Sequence, residues 1–480
     1  MAEKEIPIID QIMQIKDTAK LIKALASDVD YIANATKNQD EYDGKHKVLE
    51  RQDKKIGKDD TAKTIPVARL ITTFQKVITN LAVAFLAGRA VKYILKSEEN
   101  TEDAFNSILD VYDENKIEYF DRQLIRTNMI ETRCAELWYA QKNDDKKPND
   151  PDYAPASVGV MLLTYKDGFQ IFPHWDKYGK MDAFTIIYTT DIFDEKDQAV
   201  KAQERVDIYT KKEFYFLFKE GGGYKELSRT TNPYGKIPIV YYEQEKSEWA
   251  DVQSLIDRYE TLISNHADEN DYYAAPLIKI KGKLIQMPDK TQTGKLLHFA
   301  GVASPDQSKI EYGDAEYLTW DQEPESLKLE INNLKDLIYT LSSTPDISFS
   351  SVKGITSLSG IALKMLFFDA LLKSMNHQEI FGEGFARRLN VVKAILGFTT
   401  VKMKASLDIV QATPEFQDPT PQDIKEAISM LSEAVSGKPI MSEQTAVRNN
   451  PYVTDSASEI EQMELDKKSE NNLGAESFNL

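Results

Sequence analysis

Asp268, Glu269 and Asp271 form the densest group of carboxylates on a predicted helix of this 480-residue chain. Acids set this close can hold a metal ion or divide the work of general acid and general base. Adjacent helical positions point in different directions, however, so the spacing fits a solvated acidic helix end better than a site. A second crowd, Asn143, Asp144, Asp145, Asn149, Asp150 and Asp152, suggests calcium. It lacks the alternate spacing and central glycine of an EF-hand loop and reads as a surface loop. The five histidines, His46, His174, His266, His298 and His377, are scattered, and Cys134 is the single cysteine, so no zinc site assembles at standard spacing. Gly221, Gly222 and Gly223 lie between two β-rich runs with no Lys-Ser/Thr behind them, which fits a hairpin turn and not a phosphate cradle. No P-loop, dinucleotide fingerprint, H-E-x-x-H or G-x-S-x-G phrase occurs. The sequence therefore points to no catalytic residue, no metal ligand and no cofactor.

The elements that must position these residues change character along the chain. Ile8, Ile12, Ile15, Leu21, Ile22 and Leu25 recur at helical spacing, and a second helical run extends from Pro66, suited to a first turn, to Ala87. Glu102 to Tyr139 reads as a third helical stretch, closed by the polar linker Asn143 to Pro155. From Val158 short β-rich runs take over, VGVMLLTY, FQIFPHW, AFTIIYTT and EFYFLFK, followed by Ile237 to Tyr242. A long amphipathic helix comes next, beginning between Ser247 and Asp251, with Trp249, Val252, Leu255, Ile256, Tyr259, Leu262 and Ile263 on one face. An insert with the short strands PLIKIKG and KLLHFAG leads to a second amphipathic helix carrying Leu327, Ile331, Leu334, Ile338 and Leu341. Thr344 to Ser359, rich in Ser, Thr and Gly, reads as a mobile loop. The run Ile361 to Leu396 is apolar around much of its circumference through Met375, so it needs covering on several sides, more than an isolated copy supplies. Pro414 to Pro421 is a Pro-rich break before two short helices and a frayed polar end, Lys467 to Leu480.

Composition bounds the function. With 41% hydrophobic and 28% charged residues the chain is expected to fold in two to four units. Neither a secretory signal nor a membrane-spanning run is read in it, and one cysteine gives no disulfide. A net charge of −18 disfavours tight wrapping of nucleic acid, whose affinity comes from phosphate neutralisation. The charge is uneven: Ile361 to Ala412 carries seven Lys/Arg against four Asp/Glu, or +3, and Thr413 to Leu480 carries five against thirteen, or −8.

Several phrases, in order, carry a resemblance. YDGKHKVLERQ (Tyr42 to Gln52) and IPVARLITTFQKVITNLAVAFLAGRAVKYIL (Ile65 to Leu95) resemble the opening of the portal proteins of SPP1-like phages. There a Tyr-x-Gly-x-His element precedes a helix ending in Leu-x-Gly-[Lys/Arg]-x-Val, matched here by Phe85, Leu86, Gly88, Arg89 and Val91. The resemblance continues through GKIPIVYYEQ (Gly235 to Gln244), SLIDRYETLISNHADENDYYAAPLIKIKG (Ser254 to Gly282) and SLSGIALKMLFFDALLKS (Ser357 to Ser374). It closes with PEFQDPTPQD (Pro414 to Asp423) and MSEQTAVRNNPYV (Met441 to Val453) before the acidic Glu459 to Glu464. The β-rich middle, Val158 to Lys219, matches only by pattern.

This resemblance implies an α+β, mainly helical portal fold assembled as a ring. Residues 1–244 would form the wing, with its β-rich part at 158–244, 245–273 the first stem helix and 274–322 the clip. Residues 323–343 would be the second stem helix, 344–359 the tunnel loop, 360–412 the spine helix and wing return, and 413–480 the crown with its acidic tail. About twelve helices of roughly 10 Å diameter side by side leave an opening near roughly 28 Å, and a duplex of roughly 20 Å would pass. Lys328, Lys335 and Lys353 are the expected cations facing phosphates, with Ser350, Ser351, Gly354, Thr356 and Ser357 as small residues of the tunnel loop. Solvation of a helix face, or pairing with acids of a neighbouring subunit, accounts for these lysines equally well. In the clip, Lys279, Lys281, Lys283 and Lys295 are the expected partner-binding residues. The implied partners are further copies in a dodecameric ring, double-stranded DNA, the terminase large subunit, a head-completion adaptor and the major capsid and scaffold proteins. The implied location is the capsid portal vertex, reached by assembly in the host cytoplasm, with no membrane involved. Another self-assembling phage structural protein, or a carboxylate-dependent hydrolase using Asp268 or Asp271, are the competing readings.

Overall fold

The computed structural model describes residues 15, 17–26, 30–56, 63–96, 101–142, 156–194, 199–273, 277–281, 284–286, 298–299, 302–303, 310–311, 314–318, 324–347, 365–417, 424–450, 452–453 and 458–466. The chain divides into two units, Met1–Thr344 with Lys373–Gln417, and Pro345–Leu372 with Asp418–Leu480.

In the first unit, helices Phe74–Ala87, Glu102–Glu114 and Ile117–Glu131 pack with the long helix Phe368–Thr399 against a three-stranded antiparallel sheet. The sheet order is Ile239–Glu243, Arg133–Lys142, Ala156–Leu163. Phe381, Phe385, Val392 and Ile395 of the long helix are buried in this core, each worth on the order of 1.5–3 kcal/mol of transfer free energy. Gly384 allows the close approach, since a Cβ there would overlap the Tyr242 ring. The stretch 102–139 is therefore not one helix. Lys116 (φ 52°) and Thr132 (φ 69°) break it in left-handed conformations, and from Arg133 the chain is a strand. Cys134, Ala135, Glu136 and Trp138 are all fully buried, so burial on both faces and ladders on both edges override their helical preference.

A five-stranded antiparallel sheet runs Gly223–Thr231, Glu213–Glu220, Ala199–Thr210, Met181–Asp194, Gln170–Trp175. Its first and third members escape the hydrophobic pattern because their outer positions are polar. Gly221 and Gly222 turn the hairpin that pairs Glu220 with Gly223, Gly221 at φ +61°. Helix Thr18–Leu25 buries Leu21, Ile22 and Leu25 against this sheet.

Helices Gln253–Tyr273 and Pro324–Leu341 form a pair, the first preceded by a 3-10 turn, Ala250–Val252, so that regular α-helix starts just beyond the window 247–251. Between them, strand Leu277–Lys281 pairs with Asp314–Leu318, Leu284–Gln286 with His298–Phe299, and Val302–Ala303 with Ile310–Glu311. Two sequence expectations fail nearby. The run beginning at Pro66 becomes helical only at Phe74, because 66–73 is held in another way described below. Pro414 lies within strand Ala412–Glu415, opposite Tyr93 of strand Lys92–Leu95, and not in a simple break.

The second unit contains helices Ile424–Val435 and Glu443–Arg448 and a helix at 458–466. Ser442 caps Glu443–Arg448 by accepting the Thr445 N–H at 3.2 Å. Among the described residues no helix is long and apolar enough to cross a membrane.

Candidate functional site

The paired helices are rooted in a small core of Phe74, Ile78, Trp249, Val252, Ile256 and Ile338. Phe74 meets Tyr259 and Tyr339 edge-on, with ring centroids 5.4 and 5.7 Å apart, so one ring touches both helices. Further along, Arg258 bonds Glu330 at 2.6 Å across the pair.

A polar ladder fixes the first helix from outside. The N–H groups of Thr72, Leu70 and Ala68 donate to Glu260 at 2.7 Å, Ser264 at 2.9 Å and Asp268 at 2.5 Å. The registers agree because four helical residues rise about 6.0 Å and two extended residues about 6.6 Å. Residues 66–73 thus lie antiparallel to the helix as a strap, which is why Pro66 starts no helix. His46 completes the ladder at Glu260, 2.6 Å away, and its other ring nitrogen faces the Glu41 carbonyl at 2.8 Å. The Glu260 bond, acting against burial, holds the imidazole above its ordinary pKa.

Asp268 therefore departs from the expectation of a solvated helix end. It also takes Arg51 at 2.9 Å. Burial alone would raise its carboxyl, but the Ala68 N–H and Arg51 hold it below the usual carboxylate range. Glu269 and Asp271 remain exposed. Asp268 is committed to the strap, so the three acids do not converge into a metal or acid/base site. No group of metal-ligating residues occurs among the described residues. His174 is half-buried beside Thr185, and loss of solvation lowers its pKa to about 4. The calcium-like run 143–155 lies outside the described residues.

Where the long helix passes the helix pair, Lys373 bonds Glu248 at 2.7 Å and donates to the Ser342 carbonyl, also at 2.7 Å. His377 adds a 3.1 Å contact to Glu248. Burial would raise the Glu248 carboxyl, yet His377 and Lys373 outweigh it and bring the pKa to about 2. One lysine thus joins Glu248, two residues before the 3-10 turn that leads into the first helix of the pair, to Ser342, the residue after the second.

Deeper in the first unit, Arg388 is fully buried with Glu136 and Asp121. Its Nη2 lies 2.5 Å from Glu136 Oε1 and 2.6 Å from Asp121. Tyr242 Oη and Trp138 Nε1 donate to the Glu136 carboxylate at 2.6 and 2.7 Å. Burial pushes Asp121 up to about 6 against the pull of Arg388. The sequence signal was present: Arg388 interrupts the apolar seam Phe381, Phe385, Val392, Ile395, where a lone charge needs a buried partner.

Of the expected channel residues, Lys328 is exposed on Pro324–Leu341, and Lys335, one heptad on, is half-buried with its ammonium 5.6 Å from the Tyr339 ring centroid. Lys279 is exposed and stands opposite Glu316 in register, and Lys281 stands opposite Asp314. Lys283, Lys295, Ser350, Ser351, Lys353, Gly354, Thr356 and Ser357 lie outside the described residues.

Comparison with known proteins bears on the whole chain. No curated protein matches it. Similar solved structures include the neck of a native GTA particle computed with C12 symmetry, 11% identical over 77% of this chain and 87% of that chain, with a TM-score of 0.39. Another is the virion of a native gene transfer agent particle, 11% identical over 86% of this chain and 97% of that chain, with a TM-score of 0.40. Residues 24–473 match the family described as phage portal protein, SPP1 Gp6-like. With the match running through the sheets, helix pair and long helix alike, this chain belongs to the SPP1 Gp6-like family of phage portal proteins.

Proposed function

We propose that copies of this chain close into a dodecameric ring at one capsid vertex of the virion, assembled in the host cytoplasm, and that double-stranded DNA passes its bore during packaging and ejection. The observation that carries the reading is a seam on the long helix. Phe368, Leu372 and Met375 of that helix recur at i, i+4 and i+7, and are 56%, 44% and 60% exposed in a single chain. That is the spacing of a helix that packs against another helix, and an apolar seam left in water is the mark of an interaction surface.

In such a ring, 1–244 form the wing, 245–273 and 323–343 the stem, 274–322 the clip, 344–359 the tunnel loop, 360–412 the spine and wing return, and 413–480 the crown. Lys328 and Lys335 share one helix face about 10 Å apart along the axis. Repeated around a bore, and joined by Lys353, they give sparse positive rings in an otherwise acidic channel, which touch phosphates without holding them. Lys279, Lys281, Lys283 and Lys295 serve the clip as a docking surface for the terminase large subunit and later for a head-completion adaptor. The wing meets the major capsid and scaffold proteins. The role is structural, and the energy for packaging comes from the separate terminase.

Negative-stain microscopy of the purified chain tests this. Rings whose hole admits a duplex roughly 20 Å across are expected. A lone subunit at every concentration, or a closed assembly without a hole, overturns the proposal.

A further inference from the structure

The chain leaves the first unit after Thr344 and comes back to it at Lys373. Its point of departure is a strained helix end. Helix Pro324–Leu341 closes with the Thr344 N–H donating to the Tyr339 carbonyl at 2.9 Å and the Ser343 N–H to the Thr340 carbonyl at 3.1 Å, while Ser343 takes a left-handed conformation, φ 50°. That is the bond pattern of a helix terminus in which glycine ordinarily holds the left-handed position. Serine brings a Cβ to a place where it crowds the following carbonyl, and such a backbone persists only where its surroundings hold it.

The hold comes from the point of return. Lys373 donates to the Ser342 carbonyl at 2.7 Å, and its ammonium lies 2.7 Å from Glu248 as well. Ser374, the next residue, donates to the Phe85 carbonyl at 3.1 Å, so the long helix is fixed separately to the last turn of helix Phe74–Ala87. The two bonds of Lys373 differ in kind. Toward Glu248 it meets a full opposite charge on a buried side chain, whose own backbone N–H is tied to Met129. Toward Ser342 it meets a neutral carbonyl, which attracts a cation less. The carbonyl bond is therefore the one that yields. When it does, Glu248 keeps both Lys373 and His377, so no buried charge is left bare.

We propose that Lys373 is a releasable clasp between the end of helix Pro324–Leu341 and the long helix. Closed, it holds Ser342 and with it the left-handed Ser343. Open, the ammonium stays on Glu248, Ser343 relaxes to an ordinary backbone conformation, and the last turn of Pro324–Leu341 unwinds while Ser374 keeps the long helix in place. A pull on the chain beyond Thr344 reaches both helices together in the closed state and is taken up by that last turn alone in the open one. The device works within one chain and does not depend on the ring reading.

Amide hydrogen exchange of the full chain tests the clasp at Ser342, Ser343 and Thr344, whose N–H groups bond the carbonyls of Ile338, Thr340 and Tyr339. Lys373→Met is expected to speed exchange at these three about tenfold and to leave helix Phe74–Ala87 unchanged. Unchanged rates at the three, or a rise shared equally by Phe74–Ala87, overturn the proposal. Ser343→Gly tests the strain separately, and decides if Lys373→Met does not fold. Freed of its Cβ, the helix end is expected to exchange more slowly, on the order of fivefold, and combined with Lys373→Met to regain most of the lost protection. Rates in Ser343→Gly that stay the same or rise overturn the clasp.

Discussion

Arg388 grips Glu136 through both Nε, at 3.0 Å, and Nη2, at 2.5 Å, and neither residue keeps any exposure to solvent. The bond ties the long helix to the central strand of the three-stranded sheet. Arg388→Met leaves the Glu136 carboxylate buried without its cation, and a loss of about 3–5 kcal/mol is expected. Adding Glu136→Gln removes one of the two carboxylates that Arg388 held, the other being Asp121, and is expected to recover part of that loss. Urea unfolding of the two variants checks both values, and equal midpoints for single and double variants contradict the account.

Glu248 makes stability depend on pH on the acid side. Its folded pKa, about 2, lies below the unfolded value of 4.5, so the contribution is complete above about pH 4.5 and disappears as pH falls toward 2. The size is on the order of 3 kcal/mol. Glu248→Gln is expected to flatten the fall in unfolding midpoint between pH 5 and 2 relative to the unsubstituted chain.

His46 acts at the other end of the scale. Its pKa is raised by the Glu260 bond, so its contribution is complete below the unfolded value of about 6.5 and is lost as pH rises through the folded value. Thermal unfolding from pH 6 upward is expected to show a decline that His46→Gln lacks.

Asp268→Ala removes the acceptor of the Ala68 N–H and the partner of Arg51. A cost of about 1–3 kcal/mol is expected, with faster amide hydrogen exchange at Ala68 and Leu70 and little change in helix Glu102–Glu114. A loss of metal-dependent hydrolysis from this substitution would instead revive the hydrolase reading.

Replacing Lys328, Lys335 and Lys353 together by alanine is expected to leave ring assembly intact while lowering packaged DNA per particle. It should also weaken the salt dependence of any DNA contact. Unchanged packaging and ejection remove these lysines from the mechanism.

Periodic features were legible in the sequence because burial writes them directly. The helix pair follows from Trp249, Val252, Ile256 and Leu262 on one side and Leu334 and Ile338 on the other, all buried as the spacing indicates. Leu341 departs, being 58% exposed at the helix end. The polar ladder was not legible: Ala68, Leu70 and Thr72 look like the start of a helix, and nothing local shows that acceptors wait on a helix far along the chain. Strand Arg133–Lys142 was hidden for a related reason, since Ala135, Glu136 and Leu137 are good helix formers and only the flanking strands decide otherwise. The Asp268 cluster misled because side-chain spacing within one helix says nothing about the chain laid across it.

The strap also has a temporal side. Thr72, Leu70 and Ala68 precede their acceptors by 188, 194 and 200 residues. At ordinary rates of synthesis these amides emerge on the order of ten to forty seconds before the helix that receives them. During that interval they can bond only to water, and closing so long a loop is a late event with an entropic cost. A nascent chain cut short before residue 260 consequently lacks every one of these acceptors, and its strap amides stay bonded to water.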